Sequence, residues 1–260
     1  MIPACKQIRK DMLTIAHESG HGHLPSCFSI VEILYAIYNV MTHDPKNPCD
    51  DNRDIFILSK GHGALSLYCV LGELGYFNKE KIFSFGAFMS DFGCHADRCK
   101  LPAIEVSAGS LGHGIGIAVG VALAFKIQKS KRKVFVLIGD GESNEGSVWE
   151  AIMVAVNLKL DNLVIVYDNN MSHARGLQIH NPGARFKAFG CDVQEVNGHD
   201  VDALKKACLK SSSLVKMIVA NTKKGAGCKT LIENQYEWHR KSPDNNQLNQ
   251  LLEELDEETI

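Results

Sequence analysis

Residues 136–151, VLIGDGESNEGSVWEA, decide the fold class of this chain. An apolar run that is typical of a buried strand ends in Gly139, Asp140 and Gly141, and two further acids and an asparagine follow before an amphipathic segment begins. A buried carboxylate is costly unless a cation or hydrogen-bond donors meet it. The stretch therefore predicts a strand that ends at a binding site, followed by a helix.

Short apolar runs, mostly β-branched, recur along the chain, and each ends in Gly, Asp, Asn or Ser. They cover residues 54–58, 134–138, 163–167 and 215–220. Helical patterns cover residues 1–42, 111–128, 145–158 and 201–210, and a final surface helix with a frayed end is predicted over residues 250–260. Such alternation is typical of an α/β fold, a mostly parallel sheet with helices on both faces. No repeat or linker interrupts it, so a single domain over residues 1–260 is predicted.

One helix start inside the N-terminal region carries a recognisable signal. Ser29 and Glu32 have the spacing of a capping box before an apolar helical run. The sequence therefore predicts that Ser29 caps this helix.

Composition excludes several classes of function. Lys and Arg number 28 against 30 Asp and Glu, so no strong field favours a nucleic acid or a membrane surface. The nine cysteines have no regular spacing and are best explained as reduced thiols of a cytoplasmic protein. No signal peptide and no apolar run of about 18 residues is present, which predicts neither secretion nor membrane insertion.

Polar side chains follow two of the predicted strands. Asp140 comes after one, and Asn169 and Asn170 come after the next, with a single helix between them. Ligands of parallel sheets bind outside the carboxyl ends of the strands, so these oxygens are expected to face one crevice. They suit Mg²⁺, while the neighbouring glycines and the helix N-terminus suit a phosphate group.

The spacing of GDG at 139–141 and NN at 169–170 resembles the diphosphate motif of thiamine diphosphate enzymes. Four further stretches resemble transketolase motifs, in the same order: GHLPSCFS (22–29), LSKGHGALSLYCVLGELGYF (58–77), CHADRCKLPAIEVSAGSLGHGIGIAVGVALA (94–124) and ANTKKGAGCKTLIENQYEWHRKSP (220–243). The resemblance covers nearly the whole chain and identifies it as a transketolase-type chain with the thiamine diphosphate-binding fold.

The resemblance implies a cofactor site for thiamine diphosphate and Mg²⁺, or Ca²⁺ or Mn²⁺ in its place. The implied metal ligands are Asp140, Asn169 and the carbonyl of Met171. Gly141 would donate its N–H to the diphosphate. The loop expected against the aminopyrimidine consists of Gly109, Ser110 and Leu111.

The resemblance also implies an active-site set of four histidines, His23, His62, His95 and His239. Imidazoles titrate near neutrality and can exchange protons with sugar hydroxyls while the cofactor carries a two-carbon unit from a ketose to an aldose. His62 and His239 are expected to contact the cofactor as well. Glu145 matches an acid that in transketolases lies near the subunit interface, within a proton network between two sites.

Two features depart from the family. Arg240 stands where Gly is usual, and its guanidinium suits an anionic group, which predicts an altered donor sugar, phosphorylated or otherwise anionic. The chain also carries no pyrimidine-binding domain. It is therefore expected to be the N-terminal subunit of a split transketolase, working as a heterotetramer with a C-terminal subunit that supplies this domain.

Three alternatives remain on sequence alone. The α chain of a 2-oxo acid dehydrogenase shares GDGxxxEG and NN but is not expected to carry GHG at 61–63 or WHRKSP near its end. Deoxyxylulose-phosphate synthase keeps all its domains in one chain and is disfavoured by the WHxKxP pattern. A non-catalytic scaffold with a retained cofactor site is disfavoured by the intact Asp140, Asn169 and histidines.

Overall fold

The computed structural model describes residues 1–257 and contains one sheet of five parallel strands. The strands are β1 (Ile55–Leu58), β2 (Val134–Gly139), β3 (Leu163–Asn169), β4 (Asp192–Asn197) and β5 (Lys216–Asn221). Their order across the sheet is β1-β2-β3-β5-β4. The predicted α/β class is confirmed, and so is the neighbouring position of the strands that end at Asp140 and Asn169.

Strand β4 was not predicted from the sequence. It lies at the edge of the sheet and pairs only with β5 among the described residues. Its sequence, DVQEVN, is half-exposed along its length, with none of its residues fully buried. Because its residues are only partly buried, β4 carries no continuous apolar run, so the signal that identified the other four strands is absent here.

Ten α-helices surround the sheet in the described part of the chain: α1 (Pro3–Ser19), α2 (Leu24–Phe28), α3 (Val31–Tyr38), α4 (Ala64–Glu73), α5 (Gly114–Ile127), α6 (Gly146–Asn157), α7 (Pro182–Ala188), α8 (Val201–Leu209), α9 (Lys229–Glu233) and α10 (Asn245–Glu257). Short 3₁₀ turns at Gly61–Gly63, Glu142–Asn144 and Glu237–His239 sit beside the site described below. The predicted tail helix extends to Glu257, and its last three residues lie outside the described range.

Each face of the sheet is covered by its own apolar cluster. Alternate residues of the central strands, such as Leu137 and Val166, pack with α1, α3, α4 and α10 on one face. The intervening residues, such as Val136 and Ile165, pack with α5, α6 and α7 on the other. Burial on both faces explains why these strands read as continuous apolar runs. None of the helices within residues 1–257 combines the length and apolarity needed to cross a bilayer.

The predicted capping box at Ser29 and Glu32 is wrong. Ile30 occupies the capping position before α3, and no side chain caps the helix there. Glu32 instead forms a buried bidentate ion pair with Arg9, with nitrogen–oxygen distances of 2.6 and 2.7 Å. The Ser29 hydroxyl donates to the buried carboxylate of Asp168 (2.8 Å). Spacing alone could not distinguish a helix cap from two tertiary contacts.

Candidate active site

A cavity of about 360 Å³ lies at the carboxyl ends of β1, β2 and β3. This volume is within the usual range of small-molecule sites. Eight of the residues predicted from the sequence line it: His23, His62, His95, His239, Gly109, Leu111, Asp140 and Gly141. The structure therefore brings together segments that are far apart in the sequence, with oxygen ligands at one end and imidazoles at the other.

Asp140 is buried at the oxygen end of the cavity, with 1% of its surface exposed. Its Oδ2 accepts a hydrogen bond from the Ser172 N–H (2.8 Å) and lies 2.9 Å from Nδ1 of His173, which the sequence analysis did not single out. Its Oδ1 contacts the N–H of Gly141. Burial raises the pKa of Asp140, and the neighbouring Asp168 raises it further. A cation bound beside this carboxylate would favour its ionised form.

Two of the predicted metal ligands do not face this cavity, and the prediction needs a correction. The side-chain amide of Asn169 donates to Oδ1 of Asn221 on β5 (2.8 Å). Met171 is 46% exposed, and its carbonyl accepts the N–H of Ala174 (3.0 Å). Successive side chains of a strand point to opposite faces, so the asparagine on the Asp168 face is the next one along, Asn170.

Asn170 and Ser172 line the cavity in place of Asn169 and Met171. Asn170 is 4% exposed and holds its amide nitrogen against Asp168 (2.8 Å), which leaves Oδ1 directed to the N–H of Ser172 (3.0 Å). The Ser172 carbonyl accepts no hydrogen bond from residues 1–257. With Asp140, these groups provide three oxygen donors at one place.

A buried ion pair lies at the oxygen end of the cavity. Lys60 Nζ lies 2.7 Å from Oδ2 of Asp168, and both side chains are almost completely buried. The same carboxylate accepts hydrogen bonds from Ser29, Asn170 and Thr222. Neither Lys60 nor Asp168 was predicted as a site residue, although Lys60 lies within the motif at 58–77 and Asp168 directly precedes the two asparagines. Asp168 directly follows the apolar run 163–167, and this position is the signal that could have identified it from the sequence.

Glu142 is a second acid that the sequence analysis left without a role. Its carboxylate accepts hydrogen bonds from the Ser59 hydroxyl (2.6 Å) and from the N–H groups of Gly112 (2.9 Å) and Gly139 (3.0 Å). Burial raises its pKa. Glu142 thus joins the end of β1, the end of β2 and the loop before α5, and it holds the shape of the cavity.

Lys224 extends the cationic side of the site. Its Nζ donates to the Ser172 hydroxyl (2.7 Å) and lies 3.4 Å from Nδ1 of His239. Burial, with the positive charge of Lys60, lowers the pKa of Lys224 to about 8. The group is still largely protonated at neutral pH and adds to the attraction of an anion towards this end of the cavity.

Three histidine rings form the other end of the cavity. The His23 ring centroid lies 5.5 Å from that of His62 and 5.4 Å from that of His239. Burial lowers the pKa of each, and nearby positive charges add to this effect. Neutral imidazoles offer both a donor and an acceptor at neutral pH, so this cluster can exchange protons with hydroxyl groups.

The titration of His23 makes the folded chain sensitive to acid. Its pKa falls from 6.5 to about 4 on folding. Between these values the unfolded chain binds the proton first, so the free energy of unfolding is expected to decrease as the pH falls from 6.5 towards 4. In the variant His23→Asn this decrease should be shallower, as measured by urea unfolding at several pH values. His180→Asn, outside the histidine cluster, is the matched control; equal slopes for all three proteins would contradict the assignment.

The remaining predicted residues lie around the mouth of the cavity. His95 and Gly109 line it, and a Cβ on Gly109 would lie 3.5 Å from the His95 ring. Leu111 lines it as well, whereas Ser110 is exposed beside it. Glu145 precedes α6, is exposed and does not line the cavity, so any role it has lies at the surface of this chain.

The residues present fit a magnesium–diphosphate group. Asp140 offers a carboxylate, Asn170 a side-chain amide oxygen and Ser172 a backbone carbonyl at this end of the cavity. A Mg²⁺ ion commonly keeps positions for phosphate oxygens under such a donor set. Gly141 has no atom within 4 Å of where a Cβ would stand, so its backbone is open to a ligand.

A parallel sheet with oxygen ligands and a histidine cluster at the carboxyl ends of its strands is typical of a cofactor-dependent α/β enzyme domain. The family described as "Transketolase, thiamine diphosphate binding domain" matches residues 3–255. The chain belongs to the transketolase family, as its thiamine diphosphate-binding part. The predicted family, fold class, thiamine diphosphate cofactor and transferase class of enzyme are confirmed. The divalent ion stays a prediction.

Named relatives agree with this assignment. The chain is 39% identical to one of the subunits of the apulose-4-phosphate transketolase of Actinobacillus succinogenes, covering 97% of this chain and 95% of the relative. It is 36% identical to the 6-deoxy-6-sulfo-D-fructose transketolase subunit SqwG of Clostridium sp. MSTE9, covering 85% and 83%. Human transketolase is 35% identical over 96% of this chain but only 41% of its own length.

Solved structures show the same fold. The transketolase of Campylobacter jejuni superimposes with a TM-score of 0.89 and 28% identity, over 98% of this chain and 43% of its own. A Pichia stipitis transketolase variant in complex with fructose-6-phosphate gives a TM-score of 0.89 and 26% identity. The chain therefore spans about two fifths of the length of these solved transketolases.

Proposed function

We propose that this chain is the N-terminal subunit of a two-chain transketolase that transfers a two-carbon ketol unit from an anionic ketose to an aldose. The observation that carries the proposal is the single cavity that joins Asp140, Asn170 and Ser172 to the cluster of His23, His62 and His239. One end suits a metal–diphosphate group and the other suits the hydroxyls of a sugar. A single diphosphate-binding domain over residues 1–260 is part of the proposal.

The metal, Mg²⁺ or Ca²⁺ or Mn²⁺ in its place, would be held by Asp140, Oδ1 of Asn170 and the carbonyl of Ser172. Gly141, whose N–H contacts Oδ1 of Asp140 in this structure, would donate it to the diphosphate instead, and Lys224 would balance the remaining negative charge. Gly109, Ser110 and Leu111 would contact the aminopyrimidine. Thiamine diphosphate bound in this way would supply the carbon that accepts and releases the two-carbon unit.

The chain's own residues would orient the sugar and move its protons. Neutral His23, His62 and His239 can each accept a hydroxyl proton and return it, and His95 at the mouth can donate to a hydroxyl farther from the reacting carbon. We assign Glu145, exposed beside the mouth, to contact with another subunit.

A second chain is supported by the relatives' names and by an exposed surface. Two relatives that this chain matches over 95% and 91% of their length are each named as one subunit of an apulose-4-phosphate transketolase. Helices α5 and α6, which contact each other, expose Ile117, Ile127, Met153 and Val154 by 43–73%. We propose that this apolar surface receives a C-terminal subunit carrying the pyrimidine-binding domain, in a heterotetramer.

We propose the class of substrate and the cellular compartment, but no particular sugar. The relatives named for apulose-4-phosphate and 6-deoxy-6-sulfo-D-fructose point to an anionic sugar, with phosphate or sulfonate as the charged group. A cytoplasmic location is supported by the nine cysteines, an odd number without regular spacing, as is usual for reduced thiols.

A reconstitution assay tests the function. The purified chain is mixed with its C-terminal subunit, thiamine diphosphate and Mg²⁺, and the movement of a ¹³C-labelled two-carbon unit from a ketose phosphate to an aldose is followed by NMR. Transfer is expected only with both chains, the cofactor and the divalent ion. Transfer by this chain alone would contradict the two-chain proposal, and no transfer by the complete mixture would contradict the activity.

The proposed docking surface predicts a separate effect. Ile117→Asp places a charge within the apolar surface of α5, and burying that charge against a partner is unfavourable. The Kd of the two chains, measured by calorimetry, is expected to rise at least about tenfold. Leu209→Asp, at an equally apolar and exposed position on α8, is the matched control and should leave the Kd within about twofold. Equal effects of the two substitutions would refute this surface.

A further inference from the structure

A second cavity, of about 200 Å³, adjoins the histidine end of the first. The two share three lining residues, His23, His62 and Arg240. Its inner wall is apolar, with Leu65 and Phe85 exposed by only 1% and 3%. A molecule that places its reacting end beside the imidazoles could therefore extend its other end into this second cavity.

Arg240 provides an unpaired positive charge at the junction of the two cavities. Its guanidinium makes no hydrogen bond or ion pair with any residue between 1 and 257. The nearest acid in sequence, Glu237, is held by Lys241 at 2.8 Å. Arg240 lines both cavities, so its charge lies beside a group bound in either of them.

The rim of the second cavity carries a further donor. The His21 ring lies against Gly86, where a Cβ would approach Cδ2 of the ring to 2.7 Å. Gly86 has a φ of +73°, so both the conformation and the close approach favour glycine here. None of the described residues that line this cavity is acidic. The second cavity thus combines an apolar wall, an imidazole and a free guanidinium.

We propose that the second cavity is a subsite for the tetrahedral oxyanion, a phosphate or sulfonate, at the far end of the sugar substrate, and that Arg240 selects for it. A guanidinium presents a planar fork that can donate two hydrogen bonds to such a group. The inference rests on the proposed ketol transfer, because it deepens the substrate assignment of the same site. It assigns to this chain a specificity residue that acts on the charged end rather than on the reacting carbon.

The test compares donors that differ only in the terminal charge. With the two-chain enzyme and one aldose acceptor, kcat/KM is measured for D-fructose 6-phosphate and for D-fructose. Arg240→Gly is expected to reduce the preference for the phosphorylated donor about 10- to 100-fold, and Arg240→Lys to reduce it less. Lys241→Gly, which removes a charge from the neighbouring position outside both cavities, should leave the preference unchanged. An unchanged preference in Arg240→Gly would overturn the proposal.

A second readout is independent of transfer. Inorganic phosphate is titrated into the assembled enzyme while the ¹⁵N signal of the Arg240 guanidinium and the His21 ring signals are followed by NMR. Phosphate is expected to shift both sets of signals, and in Arg240→Gly the Kd from the His21 signals should rise at least about tenfold. An identical Kd would overturn the subsite even if no donor is turned over, whereas absence of turnover alone would count against the ketol transfer. Comparing 6-deoxy-6-sulfo-D-fructose with D-fructose 6-phosphate as donors then shows which oxyanion the subsite prefers.

Discussion

Replacing Asp140 with alanine is expected to raise the Kd of thiamine diphosphate at least about 100-fold, measured by calorimetry on the two-chain assembly with Mg²⁺. Asp140 is the only carboxylate among the three proposed oxygen donors, so its loss removes the charge that holds the metal against the diphosphate. Loss of a group that only orients a metal ligand commonly costs about 10- to 100-fold in metal affinity, and a direct ligand should cost no less.

Removing the charge of Asp140 should change the stability of the chain and its cofactor binding in opposite directions. The pKa of Asp140 is raised by burial and by Asp168, so its ionised form is disfavoured in the folded chain without a metal. Asp140→Asn is therefore expected to keep or increase the Tm of the metal-free chain while it weakens cofactor binding. A lower Tm with normal binding would show that Asp140 has a structural role instead.

The asparagines provide the matched comparison for this site. Asn170→Ala is expected to weaken metal-dependent binding about 10- to 100-fold, because its Oδ1 lies at the cavity. Asn169→Ala should change binding less than about twofold, because that side chain contacts Asn221 instead. A greater loss of metal-dependent binding in Asn169→Ala than in Asn170→Ala would contradict this assignment and favour the ligands predicted from the sequence.

Lys60→Met is expected to lower the free energy of unfolding by about 3–5 kcal/mol, the usual cost of removing one partner from a buried ion pair. The substitution leaves the Asp168 carboxylate buried with three neutral donors and no adjacent cation. Urea unfolding at pH 7 measures the loss. Since Lys60 also lines the cavity, the stability measurement is made without cofactor, so that a binding defect does not contribute.

Two variants complete this experiment. Lys60→Met combined with Asp168→Asn should recover part of the stability, because the uncompensated charge is removed with its partner. Lys126→Met breaks an exposed ion pair with Asp161 of similar length (2.9 Å) and should cost no more than about 1 kcal/mol. Equal losses in Lys60→Met and Lys126→Met, or no recovery in the double variant, would contradict an uncompensated buried charge.

Sequence patterns predicted the four buried strands, β1, β2, β3 and β5, because burial on both faces requires continuous apolar runs. They missed β4, where DVQEVN lies at an edge and carries no such run. They also predicted that GDG and NN follow neighbouring strands, as β2 and β3 show. The choice between Asn169 and Asn170 depends on which face of β3 each side chain occupies, and two consecutive asparagines leave that choice open in a sequence.

Other parts of the site arise from contacts that no local pattern encodes. Lys60 and Asp168 are separated by 108 residues and meet only in the folded chain. His173 reaches Asp140 through a turn after β3 that has neither helical nor strand periodicity. Glu142 was one acid among several after GDG, and only its three hydrogen-bond partners reveal that it braces the cavity.

The position of the divalent ion would show directly whether Asp140, Asn170 and Ser172 bind the metal. Crystals of the two-chain assembly with thiamine diphosphate and Mn²⁺ would show the ion by its anomalous scattering. One strong peak is expected in the cavity, about 2.0–2.3 Å from oxygens of Asp140, Asn170 and Ser172. Diphosphate oxygens are expected to complete the coordination of the ion. A peak bound to Asn169 and Met171, or a diphosphate located away from the carboxyl ends of β2 and β3, would contradict it.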